Sequence, residues 1–436
     1  MLNILYTVPV CLSRGFKKIV IEGGERHINY IKKQGDKHMK KIIVLIVLVS
    51  LVLPIFARAD LTEDEVPVFS ADDYLIDPPS SDVFALEEET AAAILIEADS
   101  GEVLFEVNPD ERLPIASVTK VMTLLLIMEA LDEGRISLSD TVAVSEYAAS
   151  MGGSQAFMEQ GEKMTVNDML KAISVSSCND AAVAMAEHLA GSESEFVSQM
   201  NKRASELGMT STEFVNCTGL DDREMHYSSA RDVALMSRAL LSHPKIFEYT
   251  TIWMDSIRDG KFGLANTNKL IRFYEGANGL KTGSTSKARY CLTASAERDG
   301  MMLCAVVLGA PTSAKRFSAA RSLLDYGFAN FSVYRPKLEK VNEVKVVGGK
   351  AKSVKCHTSD SSVLLPKSEK NKVEEVVELP KQLKAPVKKG DVIGKVKYVS
   401  GDKTLLEKDI VASADVKKAG FFDIFKDIWS HVLYGK

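Results

Sequence analysis

The feature that most constrains this 436-residue chain is a segment, Ala116 to Leu131, that is apolar on almost every side. A helix that is apolar all round is buried, so the segment predicts a helix at the centre of a sizeable domain. Ser117 lies in its first turn and Lys120 follows three residues later. Because residues i and i+3 share a helix face, a hydroxyl lies beside an amine that can take its proton. The positive end of the helix dipole would favour an anion developing there.

Two further strings follow in order, Ser177-Cys178-Asn179 and Lys281-Thr282-Gly283. The first adds a hydroxyl and an amide. The second adds a cation beside a glycine, which lets backbone approach a ligand closely. Ser-x-x-Lys alone is a weak signal, since it recurs elsewhere in the chain. The ordered set of three strings is specific, and it predicts a serine acyl-transfer site with Ser117 as the nucleophile.

The periodicity of the apolar residues predicts the fold class. Apolar runs beside polar turns predict strands at 91–98, 103–107, 290–296 and 301–308. Amphipathic runs predict helices at 166–175, 180–189, 193–207, 230–241 and 314–326, and polar loops rather than strands are expected between the middle helices. Strands at both ends with helices between predict an α+β fold, in which an antiparallel sheet is flanked by a helical region. Lys281 is expected on a strand beside the closing hairpin, facing Ser117.

The N-terminal region has the pattern of an export signal. Residues 39–59 combine a positive start, an apolar run and the ending Ala57-Arg58-Ala59, which predicts a secretory signal peptide cleaved before Asp60. A retained membrane anchor is the alternative. Residues 1–38 are interpreted as an upstream extension from a mis-assigned start codon. Residues 60–88 are acidic and contain proline, so they are interpreted as a loosely packed lead-in.

The C-terminal region differs in composition. Between 336 and 414, short Val- and Lys-rich runs alternate with Gly and Pro turns, which predicts a small all-β domain that serves for spacing, partner binding or stability alone. In 416–436, aromatic and aliphatic residues recur at helical spacing opposite charged ones. This pattern predicts an amphipathic helix, too short and polar to span a bilayer, that lies on a membrane surface or on the chain's own β-domain.

Charge and cysteine usage narrow the classes of function. The net charge of the chain is −5, but residues 60–436 hold 44 Lys and Arg against 56 Asp and Glu, a net charge of −12. An acidic body argues against nucleic acid as a partner. The five cysteines after residue 59 lack paired spacing, so no disulfide framework is expected, and Cys178 is predicted to be a buried thiol. The histidines show no ligand spacing, so no metal and no organic cofactor are expected.

The chain resembles the penicillin-binding proteins and serine β-lactamases, and within them the low-molecular-mass D-alanyl-D-alanine carboxypeptidases. Besides the three strings, the likeness extends to Phe214–Asp221, His226–Asp232 and Leu323–Phe328. It implies a β-lactamase/transpeptidase-like serine peptidase domain over 89–332, followed by the small β-domain over 336–414.

The resemblance implies roles for the first two strings. Ser117 would attack the carbonyl of the penultimate D-alanine, with Lys120 as general base. Ser177 would relay a proton to the leaving D-alanine amine, and Asn179 would hold the backbone amide of the substrate. Water would then hydrolyse the acyl-enzyme.

The third string is implied to bind the end of the substrate. Lys281 and Thr282 would hold its terminal carboxylate, a charge-assisted contact that selects a chain end. Gly283 and Ser284 complete this substrate-binding strand, and the backbone N–H groups of Ser117 and Ser284 would form the oxyanion hole. Some relatives place histidine where this chain has Ser284, so the resemblance implies neither a substrate preference nor a pH optimum for this chain.

Several activities share these residues. A class A β-lactamase also needs a Glu-x-x-Leu-Asn string, and none lies between Asn179 and Lys281. A transpeptidase or endopeptidase differs only in its acceptor, which motifs do not report. A peptidoglycan-binding scaffold without catalysis would have no need for the intact set. The expected partners are stem peptides that end in D-Ala-D-Ala, β-lactams as covalent inhibitors, and a membrane surface. The expected location is extracytoplasmic, on the outer face of the cytoplasmic membrane.

Overall fold

The computed structural model describes residues 90–220, 226–339, 341–425 and 429. The predicted upstream extension (1–38), signal peptide (39–59) and lead-in (60–88) lie outside these residues, and so does the end of the predicted C-terminal helix. None of the helices in the described ranges has the length and apolar character needed to cross a bilayer.

The first part of the described chain has strands of the main sheet near both ends and most of its helices between them. Its strands are β1 (Ala92–Glu97), β2 (Val103–Val107), β3 (Thr141–Ala143), β4 (Lys163–Thr165), β5 (Met254–Ile257), β6 (Phe262–Ala265), β7 (Ala277–Thr285), β8 (Arg289–Arg298) and β9 (Met301–Ala310). Its α-helices are α1 (Lys120–Asp132), α2 (Glu146–Ala149), α3 (Val166–Ser176), α4 (Asn179–Ala190), α5 (Glu193–Glu206), α6 (Ala230–Leu241), α7 (Phe247–Thr250), α8 (Leu270–Phe273) and α9 (Ser313–Asn330).

An antiparallel sheet in the order β2-β1-β9-β8-β7 forms the centre of this part. Successive side chains of a strand point to opposite faces. In β1, Ile94 and Ile96 accordingly pack into the core of the helical region, whereas Ala93 and Leu95 pack against α9. The sheet therefore carries helices on both faces, which confirms the predicted α+β class.

The helix α1 is the buried element that the sequence predicts. It packs against α4 and α6, and its residues from Lys120 to Met128 are all buried. The first turn differs from the prediction, because Ala116–Thr119 form a 3-10 helix and the α-helix begins at Lys120.

Two small hairpins that the sequence analysis does not predict lie before and after the run of middle helices, and within the described residues loops join those helices as expected. β3 pairs with β4, and β5 pairs with β6. These strands are three or four residues long, and only Val142 of β3 is buried. A strand this short presents a single buried position, so an alternating pattern cannot be recognised in the sequence.

The C-terminal part is all-β apart from one short helix, as predicted. Its elements are β10 (Phe331–Tyr334), β11 (Glu343–Val347), β12 (Ser353–Thr358), β13 (Val363–Pro366), α10 (Lys367–Lys370), β14 (Val373–Glu378), β15 (Leu383–Lys384), β16 (Val392–Ser400) and β17 (Lys403–Ala412). Six strands form one sheet in the order β14-β16-β17-β12-β11-β15. Its core contains Val396, Tyr398 and Ile410.

A separate two-stranded sheet joins the two parts. β10, which follows α9 directly, pairs along its whole length with β13. Lys367 Nζ also donates to the carbonyl oxygen of Phe328, near the end of α9, at 2.6 Å. These contacts tie the small β-domain to the sheet-and-helix domain.

The predicted C-terminal helix is described only in part. Residues 421–425 are helical, and Phe421, Phe422 and Phe425 are exposed. The remainder of 416–436 lies largely outside the described residues, so the amphipathic helix stays a prediction.

Candidate active site

The 3-10 turn Ala116–Thr119 presents the predicted nucleophile. Side chains three residues apart eclipse one another in a 3-10 helix, which brings Ser117 and Lys120 together. Lys120 Nζ donates to Ser117 Oγ at 2.9 Å. Ser117 is half-buried, whereas Lys120 is fully buried. The structure thus pairs the hydroxyl and the amine that the sequence placed on one face.

Lys120 is the centre of a buried polar cluster. Its Nζ also donates to Asn179 Oδ1 at 2.5 Å and to the Thr218 carbonyl oxygen at 2.9 Å. Asn179 Nδ2 donates in turn to the Gly152 carbonyl oxygen at 2.7 Å, which fixes the orientation of its amide. A buried amine needs such partners, because leaving it unbonded away from water is costly. Three segments distant in sequence are thereby fixed around Ser117.

Ser177 adopts a strained conformation beside this cluster. It follows the last residue of α3 with φ 63° and ψ 27°, in the left-handed region that serine rarely enters. Its Oγ is buried and has no hydrogen-bond partner within the described part of the chain. Backbone strain of about 1–3 kcal/mol is typically retained at functional sites. The hydroxyl is therefore available to bond a molecule that enters the site.

The strand β7 brings residues 281–284 against the nucleophile turn. A β-carbon at Gly283 would lie 2.6 Å from the Ile115 carbonyl oxygen and 3.0 Å from the Ser117 nitrogen. Only glycine allows two backbones to approach so closely. Ser284, the next residue, is exposed at the site. The second and third strings therefore meet the first one, as the sequence predicts.

Buried basic side chains are grouped around β7 at the site. Lys281 is buried, and its Nζ donates to the Thr282 carbonyl oxygen at 3.1 Å. Burial lowers the pKa of Lys281 well below its usual value, and the charges of Lys120 and Arg316 lower it further. Arg316 extends from α9 and donates to the Gly283 carbonyl oxygen at 3.0 Å. Such a site favours an anionic group, which would offset the charge.

Asp180 supports the site, although sequence reasoning did not single it out. Its buried carboxylate accepts from the Ala156 N–H at 3.0 Å and from the Met158 N–H at 3.1 Å, both in the loop between α2 and β4. The same loop supplies the carbonyl of Gly152 that orients Asn179. An acidic residue in the first turn of a helix is a visible signal, but it indicates helix capping equally well.

Gly219 is a second supporting residue that sequence reasoning did not assign. At φ 77°, it lies against the nucleophile turn, where a β-carbon would overlap the Ala116 carbonyl and come within 2.7 Å of Thr119 Oγ1. Asn216 Oδ1 accepts from the Gly219 N–H at 2.7 Å and shapes the turn. The Asn-x-x-Gly spacing in the sequence signals a turn, but it does not show what the turn packs against.

Cys178 is a buried thiol, as predicted. Its side chain is inaccessible to solvent, and burial together with the Asp180 carboxylate raises its pKa to about 12. The thiolate is the reactive form of cysteine, so Cys178 is not a nucleophile at neutral pH. Within the described ranges, no three His, Cys, Asp or Glu side chains cluster in a way that could hold a metal ion.

The fold and the site define a class of protein. The site combines a serine hydroxyl bonded to a buried lysine, a Ser-x-Asn corner and a Lys-Thr-Gly strand, on a sheet covered by helices. This combination is typical of serine acyl-transfer enzymes of the penicillin-binding protein class. Comparisons with known proteins identify the family. The family model described as D-alanyl-D-alanine carboxypeptidase matches residues 80–312, and the model of the penicillin-binding protein 5 C-terminal domain matches residues 329–418. The chain belongs to the D-alanyl-D-alanine carboxypeptidase family of serine peptidases.

Individual relatives agree with this assignment. The D-alanyl-D-alanine carboxypeptidase DacF of Bacillus subtilis (strain 168) is 47% identical over 348 residues, which span 78% of this chain and 89% of the relative. The D-alanyl-D-alanine carboxypeptidase DacA of Haemophilus influenzae is 36% identical over 353 residues, 78% of this chain and 88% of the relative. The crystal structure of penicillin-binding protein 5 from Haemophilus influenzae is 34% identical, with a TM-score of 0.62, over 76% of this chain and 98% of that one.

Proposed function

We propose that the chain removes the terminal D-alanine from peptidoglycan stem peptides that end in D-Ala-D-Ala, through an acyl-enzyme on Ser117. One observation carries the proposal: Lys120 Nζ lies 2.9 Å from Ser117 Oγ inside a buried cluster. A hydroxyl becomes a useful nucleophile when a base lies within hydrogen-bond reach of it. The family to which the chain belongs supports the choice of substrate.

The acylation step distributes protons among residues of the cluster. As Ser117 Oγ bonds to the carbonyl carbon, its proton passes to neutral Lys120, and the C–N bond to the last D-alanine then breaks. Ser177, whose buried hydroxyl has no partner within the described residues, relays that proton: it gives its own to the leaving amine and takes up the one held by Lys120. Asn179 holds the substrate amide. Water completes the cycle by hydrolysing the ester, and the new carboxyl leaves with the shortened peptide.

The basic side chains near β7 support recognition of a free carboxylate. Lys281 and Thr282 bind the C-terminal carboxylate of the substrate, and Arg316, which donates to the Gly283 carbonyl oxygen of the same strand, adds a positive charge nearby. Gly283 and Ser284 follow on the same strand. The backbone N–H groups of Ser117 and Ser284 donate to the oxyanion. Each such donor contributes about 10²–10³ in rate.

β-Lactams are proposed covalent inhibitors at the same serine. They present a reactive carbonyl and a carboxylate, and the site offers a nucleophile beside a cation. The chain lacks the Glu-x-x-Leu-Asn string that activates water in class A β-lactamases, so the acyl-enzyme is expected to persist.

Residues at both ends of the chain support an extracytoplasmic location. Residues 39–59 have the pattern of a signal peptide. At the other end, Phe421, Phe425 and Trp429 are exposed and stack in sequence, with ring centroids 6.4 and 5.9 Å apart. We propose that this aromatic face lies in the outer surface of the cytoplasmic membrane, where its apolar area leaves water.

The experiment that tests the function is release of D-alanine from a pentapeptide ending in D-Ala-D-Ala, with the parent and Ser117→Ala side by side. Release by the parent alone supports the carboxypeptidase. If penicillin labels the parent but no D-alanine appears, the result supports a transpeptidase or endopeptidase instead of a carboxypeptidase. Absence of both label and release from a folded parent supports the non-catalytic scaffold.

A further inference from the structure

A buried histidine links the nucleophile turn to a neighbouring loop. His226 is 4% exposed, and its Nε2 lies 2.7 Å from Thr119 Oγ1. Its Nδ1 accepts from the Val215 N–H at 3.3 Å. Thr119 lies in the 3-10 turn between Ser117 and Lys120. The imidazole therefore bridges the turn that carries the nucleophile and the loop that follows α5.

The contacts define the protonation of the ring. A backbone N–H can only donate, so Nδ1 must accept and is unprotonated. In a neutral imidazole the other nitrogen then carries the proton, and Nε2 donates to Thr119 Oγ1. Phe214 packs edge-on against the ring, with centroids 5.9 Å apart, and limits its rotation. His226 thus acts as a fixed donor–acceptor pair.

The loop that His226 joins to Thr119 also contacts the nucleophile turn and Lys120 directly. Gly219 lies against the Ala116 carbonyl and Thr119 Oγ1, and the Thr218 carbonyl accepts from Lys120. A shift of Thr119 away from this loop would move both Ser117 and Lys120, because they flank it in one tight turn. Displacements of about 1 Å in a reacting group can cost about 10² in rate.

A second hydrogen bond between α1 and this loop allows loss of catalytic geometry to be distinguished from loss of stability. Thr123 Oγ1, one helical turn after Thr119, donates to the Cys217 carbonyl oxygen at 2.7 Å. It is also fully buried and joins α1 to the same loop. It does not lie in the 3-10 turn. Thr123 is therefore a matched control for Thr119.

We propose that His226 is a positioning residue for the acyl-transfer reaction, which sets the geometry of Ser117 and Lys120 through the hydroxyl of Thr119. The proposal rests on the proposed function of Ser117. It assigns His226 no contact with substrate. Its effect is on the rate of acylation rather than on substrate binding.

The test uses the full chain and the variants His226→Leu, His226→Gln, Thr119→Val and Thr123→Val. Penicillin acylation rates, kcat and KM for D-alanine release, and thermal unfolding are measured for each. We expect His226→Leu and Thr119→Val to lower kcat and the acylation rate by about 10- to 100-fold, with KM little changed. His226→Gln keeps one donor and one acceptor, so it should recover most of the rate. Thr123→Val should lower stability to a similar extent but keep the rate.

The outcomes separate this proposal from the proposed function. A folded parent that penicillin does not label overturns the function of Ser117 and this proposal with it. A labelled parent with unchanged rates in Thr119→Val and His226→Leu overturns the positioning role alone. Equal rate losses in Thr119→Val and Thr123→Val also overturn it, because the loss would then follow stability. If His226→Leu fails to fold, Thr119→Val decides the question, since it removes only the hydroxyl.

Discussion

A β-carbon at position 283 would lie 3.0 Å from the backbone nitrogen of Ser117, so Gly283 and Ser117 are in direct backbone contact. Gly283→Ala must push β7 away from the nucleophile turn, because neither backbone can yield as a flexible side chain would. We expect the penicillin acylation rate to fall by about 10² or more. Gly263→Ala is the control, since no atom lies within 4 Å of a β-carbon there. A Gly283→Ala protein that acylates as fast as the parent would contradict the prediction.

Asp180→Ala should loosen the loop that orients Asn179. The change leaves the N–H groups of Ala156 and Met158 buried without their acceptor. Each orphaned donor costs about 1–3 kcal/mol, which urea unfolding would measure. Asp168→Ala is the matched control, because Asp168 also lies in the first turn of a helix. Equal destabilisation by both changes would show that Asp180 acts only as a helix-start charge.

Cys178 should resist alkylation in the folded protein. Its pKa of about 12 keeps the thiol protonated at neutral pH, and its side chain is inaccessible. Iodoacetamide followed by mass spectrometry should find Cys178 unmodified until the protein is unfolded in urea. Cys178→Ala should keep D-alanine release within about threefold of the parent, because a small cavity is its main cost. Rapid inactivation by iodoacetamide at Cys178 would reject this account.

Lys281→Met should abolish activity while removing a pH-dependent cost to stability. The fold lowers the pKa of Lys281, so between that pKa and the ordinary value of 10.5 the unfolded chain binds more protons than the folded chain. The free energy of unfolding therefore rises with pH across that window, and Met removes this contribution. Urea unfolding at several pH values from about 7 to 10 should show a smaller rise in the variant than in the parent.

Lys408→Met provides the control for that comparison. Lys408 is also buried, burial lowers its pKa, and it lies on β17 of the small β-domain. The Lys408→Met variant should also show a smaller rise in the free energy of unfolding with pH, but it should still release D-alanine. Loss of activity in both variants would mean that the effect of Lys281→Met comes through folding and not through carboxylate binding.

Phe425→Asp should weaken binding to lipid vesicles. A carboxylate in the aromatic face opposes transfer of that face from water into the membrane interface. Co-sedimentation with vesicles of mixed neutral and anionic lipids should show at least about tenfold weaker binding. Val392→Asp alters another exposed apolar side chain, on β16 of the small β-domain, and should bind like the parent. Equal binding by all three proteins would remove the support for a membrane-bound helix.

The sequence predicts the elements that have a long or repeated pattern. α1 is apolar on almost every side, and β8 and β9 are ten residues each, so their type follows from composition and period. The three strings also predict which side chains meet. The strings supply a nucleophile, an amide corner and a cationic strand in that order along the chain. This order indicates that the three meet at one site.

Other features depend on contacts between distant segments, which no local pattern reports. The close approach of Gly219 to Ala116 and the bond between His226 and Thr119 join residues about a hundred positions apart. The strained backbone of Ser177 is equally invisible, since Ser-x-Asn occurs in ordinary turns. The roles of these residues follow only from the three-dimensional structure.

The nucleophile turn is enclosed by Gly219 on one side and Gly283 on the other, two glycines that lie in separate parts of the chain. A polypeptide still emerging, or one folded only up to α6, lacks the strand that closes this enclosure. We expect a chain without β7 to take up no penicillin, because the side of the nucleophile turn that Gly283 covers would be open. Labelling with a fluorescent penicillin would then report the fraction of molecules in which both glycine contacts have formed.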